Sequence, residues 1–143
     1  LSELKKMYEL LTLRKSFRPG VDIDQISQIL INDQRFIILS AIYDDQIAAI
    51  RIGYQSANDI IDFLAASNNL AIKTYANYLL VWSLIEKANN LNLDGFEFGG
   101  IDPYSNQGVY LFKRGIGAEL SINGPLWIYH KSPIVRKIIG IFN

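Results

Sequence analysis

The stretch "RFIILSAIYDDQIAAIRIGY", residues 35–54, constrains the fold more than any other part of the chain. Two β-branched and aromatic runs flank Asp44-Asp45, a pair whose side chains tolerate the backbone of a tight turn, so the segment reads as a β-hairpin. Both predicted strands are too apolar to have a wet face, which places the hairpin in a sheet covered by other elements. With 143 residues, 50% hydrophobic and 20% charged, the chain can bury one such sheet, and a single domain over residues 1–143 is expected.

Charge and rare residues narrow the chemistry. Lys plus Arg and Asp plus Glu both number 14, so no overall field favours nucleic acid or an anionic membrane, and any basic site is local. Cysteine is absent, which removes disulfides, thiolate nucleophiles and Cys-based zinc sites and fits a reducing compartment; a cytoplasmic location is expected. His130, the one histidine, sits in a predicted strand without the Ser, Asp or Glu spacing of a triad, and alone it offers no metal-ligand cluster. No metal and no bound cofactor are expected. No apolar run approaches the ~18 residues that a membrane-spanning helix needs. Leu4, Met7, Tyr8 and Leu11 already form a helical stripe just after Leu1, so the natural N-terminus, with any targeting signal, is expected upstream and the domain reads as a fragment of a longer protein.

Along the chain, Ser2 can cap a first helix that carries Arg14, Lys15 and Arg18 at its C-terminal end and stops at Pro19-Gly20. Asp22 or Asp24 can cap a second helix with Ile26, Ile29 and Leu30 on one side, ending near Asn32-Asp33. After the hairpin, "DIIDFLAAS" supplies a third strand and "YANYLLVWSLIEKANNL" the longest helix, with Tyr78, Leu79, Trp82, Ile85 and Ala88 on its inner side. Tyr75, Tyr78 and Trp82 thus read as core aromatics, while Glu86, Lys87, Asn89 and Asn90 face water. "GFEFGG" is a short strand, Ile101 to Gln107 a polar loop, and Gly108 to Gly115 a short helix that buries Val109, Phe112 and Ile116. Ala118 to Ile122 and Leu126 to His130 read as strands joined by Asn123-Gly124-Pro125, and Ser132-Pro133 opens a last helix. The result is α-α-β-β-β-α-β-α-β-β-α: a mixed α/β (α+β) sheet flanked by helices.

Two stretches carry candidate chemistry. "FGGID", Phe98 to Asp102, follows a strand but lacks the spacing of a dinucleotide fingerprint or a P-loop, and Asp102 before Pro103 has a plain account as a turn residue. In "GVYLFKRGIG", Tyr110 and Lys113 lie three apart on one helical face beside glycine-flanked backbone. An amine and a phenol converging there can hold an oxyanion or exchange a proton with a leaving group. The bland account is that Lys113 and Arg114 simply load the C-terminal end of a helix, where its dipole favours cations.

From Tyr75 to Gly117 the chain resembles the C-terminal part of the Fem-type peptidoglycan-bridge aminoacyltransferases and their acyltransferase relatives, which share the GNAT fold. The resemblance is carried by Leu80, Trp82 and Ala88 on the helix, by Gly95, Phe98, Gly99 and Gly100, and by the run Gly108, Tyr110, Phe112, Lys113, Gly115 and Gly117. It implies a GNAT-like, mostly antiparallel sheet and transfer of an activated acyl group to an amine. It also implies an aminoacyl-tRNA donor, an amine-bearing cell-wall precursor as acceptor and a companion domain upstream of Leu1. The basic residue and spaced glycines that open the helix after the fourth strand in ordinary GNAT enzymes are not evident, so acyl-CoA with a sugar or small-molecule amine stands as the alternative. A non-catalytic GNAT-like module holding peptide or tRNA is the second. Lys113 and Tyr110 are the implied catalytic residues, with Gly99, Gly100, Asp102, Gly115 and Gly117 at the substrate.

Overall fold

A computed structural model of the chain describes residues 1–15 and 22–121, the side chains of Arg14 and Lys15 excepted. The stop at Pro19-Gly20, the strand ending in His130 and the last helix lie outside the described residues.

Two helices come first, α1 (Ser2–Lys15) and α2 (Ile23–Asn32). α1 begins at Ser2 itself, with Leu1 in the capping position and the Lys5 amide donating to the Leu1 carbonyl, so Ser2 is not the cap. α2 is capped by Asp22, whose carboxylate accepts from the Asp24 amide at 2.9 Å and the Gln25 amide at 3.4 Å. Leu4, Met7 and Tyr8 of α1 and Ile23, Ile26 and Leu30 of α2 are buried together, whereas Ile29 turns outward.

The hairpin follows as β1 (Phe36–Tyr43) and β2 (Gln46–Gln55), antiparallel, with Asp44 and Asp45 both at positive φ, 50° and 57°. That pair of left-handed residues twists the turn to match the strands. β3 (Asp59–Ser67) pairs antiparallel with the other edge of β2. A short helix α3 (Asn69–Lys73), capped by Asn68 and not anticipated from sequence, then leads through Tyr75, at φ 56°, into α4 (Ala76–Asn90). β4 (Gly95–Glu97) returns parallel to β3, and α5 (Gln107–Gly115) completes the described elements. The sheet order is β1-β2-β3-β4. Ala118 to Ser121, the described part of a predicted strand, has no strand conformation.

One face of the sheet, with Ile50, Ile52 and Ala66, packs on α1 and α2. The other carries Ala41 and Ala49 against Ala71, Ala76 and Leu80, and Ile60 against Leu84 and Ala88. The inner side of α4 is therefore not the predicted one: Leu79 and Trp82 are exposed, as is Tyr75, while Leu80, Val81 and Leu84 are buried. The reason is space. Small residues let α4 approach closely, and a Cβ on Gly53 would lie 2.7 Å from Ile60 Cγ2 and 3.0 Å from Leu84 Cδ2, leaving no room for an indole. β1 also departs from expectation, since Ile38, Ser40, Ile42 and Tyr43 give this edge strand a solvated face.

Candidate active site

β3 and β4 pair over only three positions, Asp59 with Gly95 to Ile61 with Glu97. Beyond Ile61, β3 runs on to Ser67 while β4 ends, and residues 62–65 of β3 line a cavity together with Phe98 and with Val109, Phe112 and Lys113 of α5. Along Asp62 to Ser67, the backbone on that side of β3 has no strand partner among the described residues. Such a row of unpaired amides and carbonyls accepts an extended ligand as it would another strand.

Lys113 stands at this junction. Its ammonium donates to the carbonyls of Phe98 at 2.6 Å and Gly100 at 2.7 Å, and at 3.4 Å to that of Gly99. Gly99 has φ +67°, which turns the chain after β4 so that successive carbonyls face one cation. Burial pushes the Lys113 ammonium below the ordinary lysine range, with Asp62 opposing the shift and Arg51 adding to it. The lysine therefore does more than sit at a helix end: it ties α5 to the exit of β4.

A cleft of about 770 Å³ opens on one side of Lys113, where Tyr110, Gly99, Gly100, Glu97 and Asp59 also form its wall. Four sequence-predicted residues, Lys113, Tyr110, Gly99 and Gly100, are thus brought together. Asp102, Gly115 and Gly117 are not among the described lining residues of this cleft. Asp102 instead accepts from the amides of Tyr104 at 3.0 Å and Ser105 at 2.8 Å, and the Ser105 hydrogen bonds first of all hold its carboxyl below the usual range. Arg114 borders the cleft as well, beside Lys113.

Lys113 also lines a second cavity of about 260 Å³, between β3 and α5, with Arg51 and Asp62 in its wall. Arg51 is only 6% exposed, its Nη1 is 3.6 Å from Asp62 Oδ2, and its guanidinium carbon lies 5.4 Å from the centre of the Phe112 ring. That separation is an ion pair without a hydrogen bond. Arg51 Nε, Arg51 Nη1 and Asp62 Oδ1 are buried with no hydrogen-bond partner. Burial lowers the Arg51 pKa, with Asp62 opposing; burial raises that of Asp62, with Arg51 and Lys113 opposing. The sequence reading passed over both residues. The available signal was Arg51 as the one charge in β2, and Asp62 as a second carboxylate in the interior of β3 beyond the Asp59 that opens it, placements whose desolvation cost demands a partner.

No protein-family model matches the sequence, and no curated protein matches it. Solved structures do. The aminoglycoside 6′-N-acetyltransferase AAC(6′)-IG of Acinetobacter haemolyticus superposes with a TM-score of 0.67 at 12% identity, covering 92% of this chain and 94% of that one. AAC(6′)-Ih of Acinetobacter baumannii gives 0.65 at 14% identity, over 90% and 94% of the two chains. An aminoglycoside acetyltransferase from an uncultured soil metagenome, solved with trehalose, gives 0.64 at 13% identity over 90% of each. At these identities the likeness establishes the fold, and the chain has the GNAT fold: a mixed, mostly antiparallel sheet with flanking helices.

The same comparisons correct one expectation and leave another without support. An aminoacyl-tRNA donor is overturned, because the structures that share this fold over nine-tenths of the chain belong to acetyltransferases. The Fem-type specificity finds no support among them. The run Tyr75 to Gly117 misled on the donor because it builds the framework around the cleft, α4, β4 and α5, and that framework is indifferent to the group carrying the acyl. Among the described residues no helix is long and apolar enough to cross a membrane, and no cluster of His, Cys, Asp and Glu could hold a metal ion.

Proposed function

We propose that the chain is an acyl-CoA-dependent N-acyltransferase domain that transfers an acyl group from the thioester to an amine. The observation that carries this reading is the early end of the β3–β4 ladder beside α5, with Lys113 and Phe98 lining both cavities there. The amide-bearing arm of coenzyme A is an extended chain of donors and acceptors, and the backbone of Asp62 to Ser67, which has no strand partner on that side among the described residues, suits it as an added strand. Its thioester carbonyl then lies near the Lys113 ammonium, which favours the negative charge that develops on oxygen when the amine attacks. The C–N bond forms, the C–S bond breaks, and the phenol of Tyr110 supplies a proton to the departing thiolate. The attacking amine gives up its proton to water in the open cleft, and the Tyr110 phenolate regains one from that water. Gly99 and Gly100 shape the wall with backbone alone.

The acceptor in this reading is a small-molecule amine such as an amino sugar, supported by the acetyltransferases of the same fold. The amine of a cell-wall precursor is the alternative that the Tyr75 to Gly117 resemblance supports. A non-catalytic binding module is the second reading. It is favoured by one observation: the Lys113 ammonium already donates to three carbonyls.

Titration with acetyl-CoA tests the proposal. At 100 times its dissociation constant the ligand stabilises the fold by about 2.7 kcal/mol, which a thermal melt reads directly. Because the chain has no cysteine, a thiol reagent then reports only coenzyme A released on adding an amine. Stabilisation with thiol release supports acyl transfer; stabilisation without release, over a range of amines, supports the binding module; neither, with any acyl-CoA, overturns the donor.

A further inference from the structure

The side chains of Arg51 and Asp62 have no part in the steps just described, although the cavity they face is the one along which the coenzyme A arm would run. A buried donor or acceptor left without a partner is costly, and three such atoms at one place call for a reason. Their chemistry is informative. Arg51 Nε carries one N–H and Nη1 two, and Asp62 Oδ1 is an acceptor. A hydroxyl can donate its O–H to Oδ1 while it accepts from a guanidinium N–H, so one such group answers both side chains. A carboxylate would satisfy the guanidinium but set a second anion against Asp62, and a methyl or methylene would leave all three atoms unpaired.

We propose that Arg51 and Asp62 form a hydroxyl-recognition subsite, so that the substrate bound between β3 and α5 carries an alcohol. The inference rests on the acyl-transfer reading of the same cleft and names the substrate class. Phe112 and Val109 of α5, both half-buried, give the cavity an apolar wall beside the two polar groups. The loose 3.6 Å approach of Arg51 to Asp62 leaves the facing edges of both side chains available to a bridging oxygen. Burial works in the same direction, since it weakens the preference of both groups for their charged forms and so raises the value of a partner. Both members of an acyl-CoA pair carry the alcohol of the coenzyme's own arm, so the alcohol in question belongs to the transferred acyl group or to the amine acceptor.

Calorimetry on the intact chain with two matched pairs of probes distinguishes them. The first pair is 3-hydroxybutyryl-CoA and butyryl-CoA; the second is 2-aminocyclohexanol and cyclohexylamine. The subsite predicts roughly 10- to 100-fold tighter binding of the hydroxylated member in one pair, the scale of a hydrogen bond to charged groups. Preference in the first pair places the alcohol on the acyl group; preference in the second places it on the acceptor. The double variant R51M/D62L replaces the pair by apolar groups of similar size, a change that buried ion pairs tolerate in many proteins, and it should bring the ratio close to one. Equal binding within both pairs by the unaltered chain overturns the inference, because the pair then recognises neither alcohol, and that comparison stands even if the variant does not fold. A preference that survives in a folded variant overturns it too. If the amino alcohol is preferred while no acyl-CoA binds, the subsite stands and the donor falls; if acyl-CoA is used without any hydroxyl preference, the donor stands and the subsite falls. Failure of every probe to bind overturns both.

Discussion

The two faces of the sheet use different materials. Against α1 and α2, Ile50 and Ile52 interlock with Leu4, Met7, Ile26 and Leu30, large side chains that leave water no place. Against α3 and α4, alanines and Gly53 bring the helices down onto the strands, and under α5 the same strands carry a guanidinium and a carboxylate. One face is built for cohesion; the other keeps space and polarity close to a core that should exclude both. Burying such a pair costs several kcal/mol per ion before the attraction is counted, so the second face depends on the first for its stability.

That division can be broken from either side. Ile52→Ala, at a site with no exposure, should destabilise the fold by roughly 2–5 kcal/mol in urea titration while the turnover of the molecules still folded is unaffected. A loss of turnover beyond the folded fraction would mean the faces are not separable. Lys113→Met should do the opposite: the chain still folds, and amine acylation with acyl-CoA falls about 10²-fold, as when one electrostatic group is lost from a reacting centre. Unaltered turnover would reduce Lys113 to a strap between α5 and β4.

Smaller changes sharpen the contrast. Gly53→Ala forces a methyl against Ile60 and Leu84 and should cost about 1–3 kcal/mol by overpacking, read from the shift of the urea midpoint. An effect near zero would show that α4 can lift away from β2. The smallest change expected lies outside both faces, at Asp33, whose carboxyl is held at about 2 by the guanidinium and amide of Arg35. A carboxyl depressed on folding contributes stability above its unfolded value near 4, and that contribution disappears as pH falls through about 2. Asp33→Asn should flatten the stability profile between those limits and leave the rest of it alone.

Local chemistry announced much of the fold. Asp44-Asp45 declared the hairpin, the choice of Asp22 or Asp24 the cap of α2, which is Asp22, and Gly95 to Glu97 the short strand after the long helix, because each signal is a matter of residues adjacent in sequence. The inner side of α4 was misread since aromatic residues at helical spacing look like core until the alanine-lined floor beneath them is known. For the cleft, Lys113 and Tyr110 were legible as neighbours on one helical turn, yet the three carbonyls that hold Lys113 become visible only when β4 and α5 are placed together. Arg51 and Asp62 meet through the pairing of β2 with β3 and the register shift between Ile52 and Gly53. Neither residue has a sequence neighbour that points to the other.

The short β3–β4 ladder has a consequence for the order of events in time. β1, β2 and β3 join through brief turns and can associate as soon as the chain collapses, whereas β4 must await the whole of α3 and α4 before it reaches its partner. The wall of the cleft is therefore a late arrival in folding. By the same token it is the first to detach: amides around Gly95 to Glu97 should exchange with solvent sooner than those in the middle of β2, so the cleft can breathe while the antiparallel sheet behind it stays intact.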